Sequence, residues 1–329
     1  MIVTRAQPTA KHSSGLAVLR GNSRRWLQQY GLVLALLVIG GVLTFLTPHF
    51  LTGPNLINVL RQISINGILA VGVTFVLLTG GVDLSLGSMV ALSGVVAACF
   101  AHPGAYPWWI AVMLGLATGM AGGAANGVMV AWGRVAPFVT TLGMMTVARG
   151  LALVVSKGRP VSNLNHQFTW LGGGDVLGLP FPVLLLFGVA LAAFVILRNL
   201  RLGRYIYAVG DSERTARAAG LNVERVKLFA YTVCGGLAGL AGVVLAARIT
   251  TGQPNAGVAY ELDAIAAAVI GGTSLSGGVG GVGGTILGAL LIGVINNGLD
   301  LLNVSSYYQQ IVKGLIIVGA VWLDKGVEK

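Results

Sequence analysis

Long apolar stretches alternate with short polar breaks along almost the whole chain. Apolar runs lie at 27–46, 57–79, 84–101, 108–131, 137–156, 182–198, 228–247, 261–278, 282–302 and 307–323. A helix crossing a hydrocarbon layer of about 30 Å needs about twenty mostly apolar residues. Lipid also forces each span to satisfy its own backbone hydrogen bonds. The pattern predicts an all-α, polytopic membrane protein of about ten transmembrane helices over 27–323, with tails at 1–26 and 324–329. The Ala- and Gly-rich run 261–278 reads either as a span or as a re-entrant segment.

Composition agrees. Of 329 residues, 55% are hydrophobic and 9% charged, and mean hydropathy is +0.83. A soluble domain carries about a quarter charged residues, so a water-facing surface is excluded. The net charge of +11 comes from bases placed between apolar runs. With the N-terminus in the cytoplasm, 15 of the 21 bases fall in cytoplasmic segments, seven of them in the single long loop 198–227. Lys157 and Arg159 occupy the outside segment 157–181, while Arg61, Arg149, Arg248 and Lys313 lie in or at the ends of spans. This asymmetry follows the positive-inside rule and predicts that both termini are cytoplasmic. The five bases before the first run make a long leader with no small-residue cleavage site, so that run is expected to be retained. No stretch interleaves bases with aromatic residues as a nucleic-acid groove would. Cys99 and Cys234 sit in apolar runs and read as packing residues, with neither a disulfide nor a metal site indicated.

Glycine is patterned. Gly115, Gly119, Gly123 and Gly127 recur at every fourth position, giving one smooth helical face, and Gly280, Gly284 and Gly288 repeat the spacing. Such faces let helices approach closely in lipid; lining a polar pathway is the alternative.

Polar exceptions mark the rest. Gly80-Gly81-Val82-Asp83-Leu84-Ser85-Leu86-Gly87 and Gly271-Gly272-Thr273-Ser274-Leu275-Ser276-Gly277-Gly278 share the skeleton Gly-Gly-x-x-Leu-Ser-x-Gly. Glycine-interrupted segments in matching positions of two halves point to a transport pathway, although so short a match in a glycine-rich chain also arises by chance. Asp83 is expected to cap the following helix through the amides of Ser85 or Leu86, with a direct substrate contact as the lesser reading. Ser85 belongs to the same stretch. Glu261 and Asp263 either cap a helix or form an external mouth. Asn296, Asn297 and Asp300 either bridge helices or line the route.

Within 198–227, Asp211 or Ser212 is a good N-cap, Glu213 suits a helix start, Arg214 and Arg217 suit its later turns, and Gly220 reads as a stop. This predicts a short, exposed, two-turn helix, which a mere connection does not require, so a partner surface is the favoured reading. None of the six lysines follows a glycine, so the phosphate-cradling Gly-Lys-Ser/Thr motif is missing. No nucleophile elbow or paired cysteines are present. If ATP powers transport, hydrolysis must occur on another chain.

Taken together, Gly80–Ser88, Gly203–Leu221, Gly271–Ser276, Gly288-Ala289-Leu290-Leu291 and Asn296-Asn297-Gly298-Leu299 resemble the permeases of ribose-type, binding-protein-dependent sugar importers, from about residue 45 to the C-terminus. The resemblance implies a bacterial inner-membrane permease that binds no cofactor itself. It implies a cytoplasmic ATPase subunit that carries ATP, a periplasmic sugar-binding protein and a second permease copy, identical or paralogous. Asp211–Gly220 is similar to the element that docks on the ATPase. Those permeases commonly carry a basic residue, glycine and a second basic residue after Gly277-Gly278, where this chain has Val279-Gly280-Gly281. The implied mechanism is alternating access between two states with different contacts. A secondary transporter, with Asp83 as its coupling acid, a channel, and an importer permease for branched-chain amino acids or nucleosides are the rivals.

Overall fold

The computed structural model describes residues 15–325; positions 1–14 and 326–329, parts of the two expected tails, lie outside the described residues. In chain order the helices are α1 (Gly15–Leu46), α2 (Gly53–Leu78), α3 (Leu86–Phe100), α4 (Trp108–Ala131), α5 (Pro137–Val155) and α6 (His166–Gly173). A two-residue-per-strand antiparallel hairpin follows, β1 (Asp175–Val176) and β2 (Leu179–Pro180). Then come α7 (Phe181–Asn199), α8 (Arg201–Asp211), α9 (Glu213–Ala218), α10 (Val223–Arg248), α11 (Tyr260–Ile270), α12 (Val282–Leu301) and α13 (Ser306–Lys325). Among the described residues, regular structure is helical apart from that hairpin and an isolated bridge between Val161 and Gly252.

Among the described residues, six helices, α2, α4, α5, α7, α10 and α12, are long and apolar enough to cross a membrane. Their burial separates them into a centre and a shell. In the most apolar window of α2, 83% of residues are buried, and in α10 67%, against 22% in α4 and α5 and 17% in α7. The exposed Phe187, Leu191, Phe194 and Val195 of α7 give it an apolar outer face suited to lipid. Helix α1 begins at Gly15, well before the apolar run it carries.

The glycine face of α4 packs on α10. Gly119 and Gly123 lie against Gly235, with Gly239 next to Gly119, so a side chain at either α4 position meets α10 backbone. Gly115 abuts Val243, and Gly127 abuts Leu228. Without a hydrophobic driving force between helices in lipid, such backbone approach maximises dispersion. On α12, Gly284 and Gly288 lie against the carbonyls of Gly271 and Ala267. Gly280, the first glycine of that spaced trio, precedes the helix in a loop, at a positive φ of 138° that favours glycine.

The structure gives 261–278 a definite form and corrects one expectation. The run 261–278 is helical only to Ile270: α11 has 11 residues, about 16 Å, half a bilayer's hydrocarbon depth. Gly271, Gly272, Gly277, Gly278 and Gly280 break the helix that hydropathy alone extends. The loop 198–227 also holds two helices where one is expected. Gly203, Ile206 and Val209 are buried on one stripe of α8 while Arg201, Arg204 and Tyr205 are exposed, the pattern of an amphipathic surface helix.

Candidate functional site: a glycine junction and the α8–α9 arm

Both glycine loops begin with the same helix-ending turn. After α2, Gly80 N–H donates to Leu77 O and Gly81 N–H to Val76 O. After α11, Gly272 N–H donates to Val269 O and Thr273 N–H to Ala268 O. Gly80 and Gly272 occupy the left-handed position, with φ 73° and 88°, as a Schellman turn requires. The structural register therefore pairs Gly80 with Gly272, one residue displaced from the alignment of the shared skeleton.

The two loops also meet. Gly278 N–H donates to Leu78 O at 3.1 Å, and Gly277 lies beside the amide of Gly80 and the carbonyl of Gly210. From α8, Gly210 lies so close that an added methyl group would run into Leu78 O and Gly278 N. One turn earlier, the Tyr207 hydroxyl donates to Gly280 O at 2.9 Å. Burial holds that hydroxyl above the usual phenol range, so it stays a donor. Three backbones thus converge with no side chain between them: the end of α2, the loop 271–281 and the end of α8.

Beyond the junction the arm is exposed. Ser212, not Asp211, caps α9: its Oγ accepts from Thr215 N–H at 3.2 Å, while Asp211 is the last residue of α8. Ala216 is the buried residue of α9; Glu213, Arg214, Arg217 and Gly220 are exposed. Gly220, φ 82°, closes the helix, with Gly220 N–H donating to Arg217 O and Leu221 N–H to Ala216 O. The arm is then pinned back to α10. Arg217 pairs with Glu224 at 2.5 Å, and Glu213 pairs with Lys227. Asn222 caps α10 through Arg225 N–H at 2.9 Å. Arg214 makes no ion pair among the described residues.

Asp83 is 1% exposed. Its Oδ1 accepts from Ser85 N–H at 2.9 Å and from Ser85 Oγ at 2.6 Å, and Asn126 Nδ2 donates to Ser85 Oγ at 3.0 Å. The carboxyl therefore shapes the turn into α3, which starts at Leu86 rather than Leu84. It lies inside the packing of α3, α4 and α10, where Tyr231 donates to Val82 O.

The remaining polar residues gather at the other end of the bundle. Asn297 and Asn55 exchange side-chain hydrogen bonds at 2.8 and 3.0 Å, tying α12 to α2. Asp263, 3% exposed, pairs with Lys313 of α13 at 2.8 Å, and Asn296 Nδ2 lies 3.4 Å from its Oδ2. Asp300 accepts from Gln309 at 2.8 Å. Glu261 lies against Gly87 and near Arg149. Arg149 donates to Pro254 O at 2.6 Å and Ala256 O at 2.8 Å, clamping the segment that leads into α11. Arg248 donates to Asn58 at 2.8 Å, and Arg61 to Gly173 O at 3.0 Å. The sequence reading assigned no role to Arg61, Arg149, Arg248 or Lys313. Their signal was a base within or beside an apolar run, which in lipid needs a protein partner. Among the described residues no cluster of His, Cys, Asp or Glu could hold a metal ion.

Comparison with known proteins places the chain in a family. Residues 55–321 match the family described as branched-chain amino acid transport system / permease component. The chain is 48% identical to the ribose import permease protein RbsC of Escherichia coli K12 over 306 residues, 92% of this chain and 95% of that one. It is 45% identical to RbsC of Bacillus subtilis 168, covering 91% and 93%. It is 39% identical to the D-allose transport system permease protein AlsC of E. coli K12, covering 92% and 93%. No solved structure matches. With a family match over most of its length and relatives this similar, the chain belongs to the permease family of the branched-chain amino acid transport system type, in the company of its sugar-import members.

Proposed function

We propose that this chain is the translocating permease of an ATP-driven importer that carries a ribose-like monosaccharide across a bacterial inner membrane. Its partners are a cytoplasmic ATPase subunit, a periplasmic sugar-binding protein and a second permease copy. The observation that carries the reading is the backbone junction of Gly210, Leu78 and Gly278. It joins an exposed, self-capped arm to the ends of two membrane elements, so force applied to α9 passes directly into α2 and the loop after α11. Packed backbones with no flexible side chains between them transmit displacement with little loss.

In this reading ten helices enter the bilayer, all but α6, α8 and α9, with both termini cytoplasmic and the arm on the cytoplasmic face. The distribution of bases supports that orientation. α11 and the loop 271–281 form a broken helix, the kind of element that lines substrate paths in transporters. Glu261, Asp263, Asn296 and Asn297 hold its outer end, and Asp83 and Ser85 shape the turn beside its inner partner loop. Substrate choice rests mainly with the binding protein. The relatives named for ribose, allose, arabinose and xylose import support a monosaccharide.

The test is purification from native membranes in mild detergent, followed by uptake in proteoliposomes. Co-purification of an ATPase and ribose uptake that requires both ATP and the binding protein are expected. Uptake driven by an ion gradient from the permease alone would overturn the reading in favour of secondary transport.

A further inference from the structure

Beside the arm lies a cavity of about 270 Å³ between α9, the start of α10 and the turn joining α4 to α5. Its lining is mixed: Val130, Val135, Pro137 and Val223 lie beside a charged rim. Four of the five rim charges neutralise one another, as the pairs Arg217–Glu224 and Glu213–Lys227. The fifth, Arg134, makes no ion pair among the described residues and is exposed. Its backbone sits in the left-handed region at φ 53°, a conformation non-glycine residues seldom adopt. The cavity thus offers a part-aliphatic, part-polar seat and one surplus positive charge held at its edge.

We propose that this cavity is a socket for a partner loop carrying an acidic side chain next to an apolar one, and that the loop belongs to the ATPase subunit. The proposal rests on the importer reading above and extends it from the exposed face of α9 to a second contact on the α4–α5 turn. Charge complementarity selects the acid, since only Arg134 is left to be neutralised. The aliphatic part of the lining, Val135 and Pro137 above all, suits a neighbouring apolar side chain, the kind of buried anchor that contributes most at interfaces. Continuity with α9 selects the source, because Glu213 and Arg217 belong to both the socket rim and the arm. A partner seated there grips α9 and the α4–α5 turn together, so its movement acts on α4 and α5 as well as on α2 and α11.

The experiment places a photoreactive residue, as Ala136→p-benzoylphenylalanine at the socket and Arg214→p-benzoylphenylalanine on α9, in the whole transporter in native membranes. Crosslinks to the ATPase from both positions are expected. In a separate pull-down, Arg134→Glu is expected to lower recovered ATPase about tenfold, a loss Arg134→Lys restores. Crosslinking from position 214 with none from 136 would overturn the socket while leaving the importer reading standing. Crosslinking from 136 to phospholipid alone would likewise overturn it and assign the cavity to a headgroup. No ATPase crosslink from either position would overturn both.

Discussion

The amide of Gly278 donates to the carbonyl of Leu78 at 3.1 Å, and Gly210 of α8 seals the same point from the side. The bond is long-range in sequence and purely main-chain, so only glycine's missing side chain allows the third backbone to reach it.

Gly210→Val is therefore expected to separate the arm from the bundle. Overpacking of this kind costs about 1–3 kcal/mol, visible as a lower melting temperature in detergent. ATP-driven uptake should fall at least about tenfold, whereas α9, folded by its own caps, should still recover ATPase in a pull-down. Retained uptake would remove the junction from the transmission path.

Reversing Arg214 and Arg217 to Glu should abolish uptake while membrane insertion stays intact. The two positions act differently. Arg214→Glu changes only the exposed face, but Arg217→Glu also sets two acids together at Glu224. The swap Arg217→Glu with Glu224→Arg should restore the pair, an exposed one contributing about 0–1 kcal/mol, without restoring uptake. Full uptake in the swap would show that Arg217 serves the pair alone.

Asp83→Asn should keep transport near the parent rate, because an amide oxygen still accepts from Ser85 N–H and Oγ. Asp83→Leu should cripple folding by leaving those donors without an acceptor, about 1–3 kcal/mol. Loss of uptake in a well-folded Asp83→Asn protein would instead mark the carboxyl as a proton-coupling group.

The ion pair of Asp263 and Lys313 is partly buried, with side-chain exposures of 4% and 23%. Removing one partner, as in Lys313→Met, should destabilise by about 2–3 kcal/mol, below the loss at a fully dry site. The double variant Asp263→Leu with Lys313→Met should regain most of it. A double-mutant cycle on thermal unfolding reads the coupling directly.

Helix positions were legible because lipid imposes one period on every span, and the runs at 108–131 and 137–156 match α4 and α5 to within a residue. The cap at Ser212 and the stop at Gly220 were legible because such signals act within a few residues. The helix α8 was not, since its amphipathic face, with Ile206 and Val209 buried opposite exposed arginines, lies in a stretch whose arginines read first as a connecting loop. Nor was the meeting of Gly80, Gly210 and Gly277. Each glycine breaks or loosens its own segment, and nothing local says which distant backbone will fill the space. The partners of Arg149 and Lys313 were hidden for the same reason: a base in an apolar run announces that a partner exists but does not name it.

The arm takes its shape from Ser212, Gly220 and Asn222, all within its own stretch of chain. In the docking role proposed for it, the arm meets its partner as a preformed surface that loses no conformational freedom by being ordered. Interchangeability follows: a permease with a different solute route can share the same motor if its outward-facing charges match, and a mispaired motor is rejected by repulsion rather than by misfolding. In that proposed arrangement the solute route and the motor contact occupy separate stretches of one polypeptide.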